Sequence, residues 1–166
     1  MGEYFPGAIE LGGNIPAEML DQLAEVISEQ GCYLDDGSEA ELTPAEALQL
    51  LHKADKEKTV LKLADYQASW GEFDDLEAFC NEHGIDYDRT SDAHYEYNGE
   101  MICSRGTNDR IWFLADQEGQ PAIHLTDIQA VLDDKISDIA KLDKITKLVD
   151  PVPDLTPINI VVPGAA

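Results

Sequence analysis

The first 52 residues contain neither lysine nor arginine, although they carry 11 carboxylates. The absence recurs: residues 63 to 88 hold 8 acids and no base, and residues 111 to 134 hold 5 and none. Such stretches repel phosphate backbones and anionic membranes, which argues against direct nucleic-acid or membrane binding and favours basic partners. Cysteine is scarce as well. Cys32, Cys80 and Cys103 are an odd number without a CxxC pair, which suits reduced thiols in the cytoplasm better than a disulfide framework or a zinc site. No run approaches the roughly 18 apolar residues of a membrane span, and "MGEYFPG" lacks the basic and apolar regions of a signal peptide. Pro6 stands where a myristoylation signal wants Ser or Thr.

What is present is enough for a folded core. Of 166 residues 43% are hydrophobic, so the acidity does not place the chain in the disordered class. The formal charge of -23 comes from 34 acids against 11 bases. Those bases sit in three clusters: Lys53, Lys56, Lys58 and Lys62; Arg89, Arg105 and Arg110; Lys135, Lys141, Lys144 and Lys147.

"GAIEL" (7 to 11) has the pattern of a strand, and "GGN" turns it into a helix from about Ile15 to Gln30 with Met19, Leu20, Leu23, Val26 and Ile27 as its buried stripe. A short strand around Cys32 to Leu34 follows. Thr43, Pro44 and Glu46 stand in capping-box register for a second helix. "TVLKLADYQA" (59 to 68) reads as a strand, and Gly71 and Gly84 bracket a helix whose apolar face is Phe73, Leu76, Phe79 and Cys80. In "IDYDR", Ile85 and Tyr87 point one way, Asp86 and Asp88 the other. Asn98-Gly99 between alternating runs predicts a type I′ hairpin with Tyr95 opposite Ile102 and His94 opposite Cys103. "RIWFLAD" (110 to 116) is a further strand.

These elements predict an α+β fold, a ferredoxin-like sandwich with helices on one face of a mainly antiparallel sheet and two weakly related βαβ units. The expected organisation is an α+β domain over 1–125, one long amphipathic helix over 126–149 with Ile128, Leu132, Ile136, Ile139, Leu142, Ile145 and Val149 on one side, and a proline-rich extended tail over 150–166.

The run G-E-F-D-D-L-E-A-F-C-N-E-H-G-I-D-Y-D-R-T-S-D-A-H-Y-E-Y (71 to 97) resembles a family of small bacterial proteins of unknown function, often encoded near mobile elements. The resemblance spans roughly residues 59 to 105 and brings no activity with it. What it implies is a mobile-element or phage setting.

Each candidate site competes with a plainer reading. Gly12-Gly13-Asn14 has the strand-glycine-helix order of a phosphate cradle, yet its flanks hold no base and a tight turn is favoured. His94 and Cys103 would make a thiolate-imidazole pair, but no orienting carboxylate can be assigned, so no catalytic residue is. Asp86, Asp88, Asp92 and His94 match no metal-ligand spacing, and no metal or cofactor is expected. Arg89, Arg105 and Arg110 are expected to serve internal carboxylates. Tyr95, Tyr97 and Trp112 are read as core or a protein interface.

The leading expectation is a non-enzymatic acidic protein that occupies the nucleic-acid site of a basic DNA- or RNA-binding partner, a DNA mimic of the kind that inhibits restriction or CRISPR systems. A compact chain of this size is about 40 Å across, and duplex DNA of that length carries roughly 24 phosphate charges. The contact residues are expected to be Asp74, Asp75, Glu77, Glu82, Asp86 and Asp88, with Glu18, Asp21, Glu25 and Glu29. The alternative is a general protein-interaction module, joined through the 126–149 helix, which would also serve a homodimer, or by strand addition of 158–162.

Overall fold

The computed structural model describes residues 4–38, 40–92, 98–106, 109–116, 121–149 and 153–163. A seven-stranded sheet forms the centre: β1 (Gly7–Gly12), β3 (Tyr33–Leu34), β4 (Leu61–Asp65), β5 (Asp86–Ser91), β6 (Gly99–Arg105), β7 (Asp109–Ala115) and β8 (Pro121–Ala122), in the order β3-β4-β1-β5-β6-β7-β8. Every pairing in it is antiparallel. A separate two-stranded sheet joins β2 (Asn14–Pro16) to β9 (Asn159–Val161) in parallel. The five helices among the described residues are α1 (Leu20–Glu29), α2 (Pro44–Glu57), α3 (Asp74–His83), α4 (Leu125–Asp133) and α5 (Asp138–Val149). The α+β class expected from the sequence is therefore the class observed.

Because β4 and β5 both run antiparallel to β1, they are parallel to each other, and α3 carries the chain between them over the intervening strand. By the same reasoning β1 and β3 are parallel, joined through α1 and separated by β4. Two split β-α-β units thus interleave, with α2 inserted between β3 and β4 and the sheet extended by β6 to β8.

Strand alternation decides the two faces. Ile9 and Leu11 of β1, Leu61 and Leu63 of β4, Tyr87 of β5 and Ile102 of β6 are buried with Leu20, Leu23, Ala24 and Ile27 of α1, Ala47, Leu51 and Ala54 of α2, and Leu76 and Cys80 of α3. α1 packs against both α2 and α3. The α2 start is built as its sequence demands: Thr43 Oγ1 accepts the Glu46 amide, and Glu46 Oε2 accepts the Thr43 amide at 3.0 Å. Gly84 ends α3 with φ of +68°, a conformation open to glycine at little cost.

Four expectations need correction. The chain after "GGN" enters β2 and a 3₁₀ turn (Ala17–Met19) before α1 begins at Leu20. The 126–149 helix is broken: Asp134 is extended, and Ser137 starts α5 by accepting the Ala140 amide on its hydroxyl and the Lys141 amide on its carbonyl. A serine cap inside an apolar periodicity outweighs the periodicity here. The Asn98-Gly99 hairpin register is also not observed, since β5 itself pairs with β6, placing Arg89 opposite Ile102 and Asp88 opposite Cys103. His94, Tyr95 and Tyr97 lie outside the described residues, as do residues 117–120.

The fourth correction concerns the tail. Residues 153–161 are docked: Ile158 is fully buried in the core, the Ile158 amide donates to Thr59 O at 3.0 Å, and Asn159 and Thr156 exchange backbone bonds with Gly13. The strand-addition segment is thus engaged with β2. Asp55 Oδ1 accepts the Ile160 amide at 3.0 Å, and this bond, then Lys58, holds the Asp55 carboxyl below its ordinary range. A lowered folded value means that this support exists above the unfolded carboxylate range, near pH ~3.9, and is lost as pH falls through the folded value.

Removing the buried side chain in Ile158→Ala is expected to cost about 2 to 5 kcal/mol in urea unfolding, the usual range for such truncations. A loss within experimental error of zero would show the tail to be undocked. Asp55→Ala is expected to speed hydrogen exchange at the Ile160 amide while leaving the β1 amides protected.

Candidate acidic binding surface

The acids divide into those bound within the fold and those that face solvent. Glu77 belongs to the first group. It is only 5% exposed, and its Oε1 lies 2.8 Å from Nε of Arg89, itself 1% exposed. The same guanidinium meets the Glu100 carboxylate through Nη2 and donates from Nη1 to Gly71 O at 3.3 Å. Tyr87 Oη donates to Glu77 Oε2 at 3.2 Å, the Phe73 amide donates to Oε1, and Trp112 Nε1 donates to Glu100 Oε2 at 2.7 Å. Asn81 links Tyr87 to Ser104, whose hydroxyl donates to Asn81 Oδ1 at 3.0 Å. A buried arginine requires such partners, and Glu77 is therefore withdrawn from the expected contact residues.

Asp86 and Asp88 are corrected for a different reason. They alternate with buried Tyr87 and Arg89, so they stand on the sheet face opposite the one that α1–α3 cover. There Asp86 accepts the Gly106 amide at 2.8 Å, and Asp88 receives both terminal nitrogens of Arg105 at 2.7 and 3.2 Å. Arg105 also clamps Pro153 O. Arg89 and Arg105 thus serve internal carboxylates; the Arg110 side chain lies outside the described residues.

The remaining acids share one surface. On α1, burial of Leu20, Leu23, Ala24 and Ile27 turns Asp21, Glu25 and Glu29 outward at i, i+4, i+8, a single line with steps of about 6 Å, and exposed Glu18 precedes it. The neighbouring α3 exposes Asp74, Asp75 and Glu82. None of these seven carboxylates forms an ion pair among the described residues, and neither helix contains Lys or Arg. Beside them a hollow of about 330 Å³ is lined by Glu72, Asp74, Glu77, Ala78 and Asn81. Burial first, and then the charge of Asp74, push the Glu72 carboxyl up.

The other candidates dissolve into structure. Gly13 takes φ of +73° in the turn from β1 to β2; its amide donates to Thr156 O at 2.9 Å and its carbonyl accepts the Asn159 amide, so the tail occupies the turn. Cys103 is buried between Asp88 and Ile111 in register, and burial, then Asp88, push its thiol up to about 12. Burial, then the Asp65 charge, raise Cys32 to about 12, and burial raises Cys80 further. Among the described residues no group of three His, Cys, Asp or Glu side chains is placed to hold a metal ion. No helix among them is long and apolar enough to cross a membrane.

No protein-family model, curated protein or solved structure matches this chain. The residues that sequence reasoning missed are Glu100, Asn81 and Ser104, which complete the Arg89 cluster. The available signal was Arg89 itself, in phase with Ile85 and Tyr87 on the buried side of "IDYDR".

Arg89→Ala leaves Glu77 and Glu100 without their common cation, and a loss of about 3 to 5 kcal/mol in chemical denaturation is expected, as for other broken buried pairs. Raised thiol values with burial predict that iodoacetamide at pH 8 labels all three cysteines at least tenfold faster in urea than in the native protein. Rapid native labelling of Cys103 would contradict the burial described.

Proposed function

We propose that this chain is a non-enzymatic acidic binding protein whose α1–α3 surface occupies the nucleic-acid site of a basic DNA- or RNA-binding partner. The observation that carries this reading is the unpaired line Asp21, Glu25, Glu29 on α1, extended by Glu18 and flanked by the exposed acids of α3.

The acids of α3 have a partial structural explanation. Asp74 and Asp75 lie in its first turn, where the helix dipole favours negative charge. Those of α1 do not. Like charges at i, i+4 cost a helix about 0.2 to 0.5 kcal/mol per pair, and Glu29 stands in the last turn, where the dipole favours cations and no base is present. A surface kept at a cost to its own helix is what a partner-binding role requires.

The α1 line has one charge per about 6 Å, against one phosphate per roughly 3.4 Å along each strand of duplex DNA. A single helix therefore presents about half the density of one strand, and the second row on α3 supplies the rest. Interaxial distances of 8 to 10 Å are usual for packed helices, so the rows form a band and not a single file. The raised Glu72 carboxyl and its neighbours border this band at the hollow, a concavity suited to a lysine or arginine side chain.

The setting suggested by the 71–97 run, a mobile element or phage, would make a host defence nuclease a natural partner class. The test is capture of nucleic-acid-binding proteins on the immobilised chain, followed by a salt gradient and competition with duplex DNA. Binding is expected to fall steeply with salt and to be displaced by DNA; a complex indifferent to both would sink the reading. With a captured partner in hand, Asp21→Asn/Glu25→Gln/Glu29→Gln is expected to weaken affinity at least tenfold, about 1.4 kcal/mol. The same neutralisation at Asp133, Asp138 and Asp143 should change it less than twofold.

A further inference from the structure

A nearly neutral part of the molecule is also its most exposed apolar part. Leu125 of α4 is 78% exposed, Ile139 and Leu142 of α5 are 80% and 65% exposed, and Trp112 of the adjoining β7 is 55% exposed. No described residue of α4 is buried. Trp112 and Leu148 line one cleft of about 280 Å³ together with Ile111, Phe113 and Ile123, where α5 meets the sheet edge. Exposed apolar patches of this kind mark interaction sites.

Charge decides what covers it. Residues 121 to 149 hold five acids and four bases, a net of -1 in a chain of -23. Two copies approaching through their α1–α3 surfaces bring like charges together. At this face the charges also differ between the helices: α4 carries Asp127 and Asp133 and no base, whereas α5 carries Lys141, Lys144 and Lys147 against Asp138 and Asp143. Within one copy Lys144 pairs with Asp134 and Lys147 with Asp143, both exposed contacts of small individual worth that can be exchanged. A two-fold axis lays α4 of each copy along α5 of the other, sets acids against lysines twice, and covers both sets of exposed leucine and isoleucine.

We propose that the α4–α5 face is a self-association surface whose occupant is a second copy of this chain. It is separate from the α1–α3 acids, and its salt response has the opposite sign. Screening weakens a basic partner's hold on the acids, but it relieves repulsion between two chains of -23 while leaving apolar burial intact.

Light scattering at a concentration on the order of 50 μM, well above a micromolar Kd, reads the outcome. Expected is a mass about twice the 18.3 kDa of the chain, with a dimer fraction that holds or rises as salt is added. Ile139→Lys/Leu142→Lys should weaken self-association at least tenfold with an unchanged circular dichroism spectrum. If that variant loses its fold, Ile139→Ser/Leu142→Ser reads the same loss. A monomer at every salt concentration, a dimer that dissociates as salt rises, or a dimer unchanged in the folded variants would each overturn the proposal.

Discussion

The contact on which the rest of this structure depends is the burial of Arg89 between two glutamates. Its guanidinium touches α3 through Glu77, β6 through Glu100 and the segment before α3 through Gly71. A charge so far from water is tolerable only when its partners are fixed, and each is fixed in turn by Tyr87, Phe73 or Trp112. The cluster therefore ties one helix and three strands to a single relative placement. It adds little net stability over an apolar core, but it penalises alternatives heavily, because any shift of α3 or slip of β6 leaves a buried charge alone.

That placement sorts the acids. Glu77 and Glu100 serve Arg89, and Asp86 and Asp88 serve the far face of the sheet with Gly106 and Arg105. In a chain with three times as many acids as bases, Arg89 and Arg105 are absorbed inside and the lysines gather on α2, β4 and around α5. What remains on α1 and α3 is a base-free surface. The acidity of the molecule is thus directional, although the sequence presents it as nearly uniform over its first half.

Local chemistry was legible in the sequence and long-range chemistry was not. Thr43 with Glu46, Gly84, the stripe Leu20, Leu23 and Ile27 of α1 and the alternation of residues 85 to 89 each act within a few residues, and each appears in the structure as read. Asn98-Gly99 is equally local, yet the expected register is absent. Arg89 to Glu100 and Asp88 to Arg105 hold β5 itself against β6, and a two-residue turn would have given those contacts up. The exposed acids of α1 followed from helical period alone. Glu77 could not be separated from them in that way, because its burial is decided by a base twelve residues away. The break at Ser137 was available as a serine before an aspartate, but the continuous apolar period hid it.

The pairing of β2 with β9 also bears on how the molecule reaches its native state. Asn14 and Asn159 are 145 residues apart and their side chains are bonded at 2.8 Å. Closing so long a loop costs chain entropy that is recovered only when Ile158 enters the core, and contacts of this separation slow folding. The ends of β1 and β4 are completed by a segment far away along the chain, so the core closes only when both ends of the molecule meet.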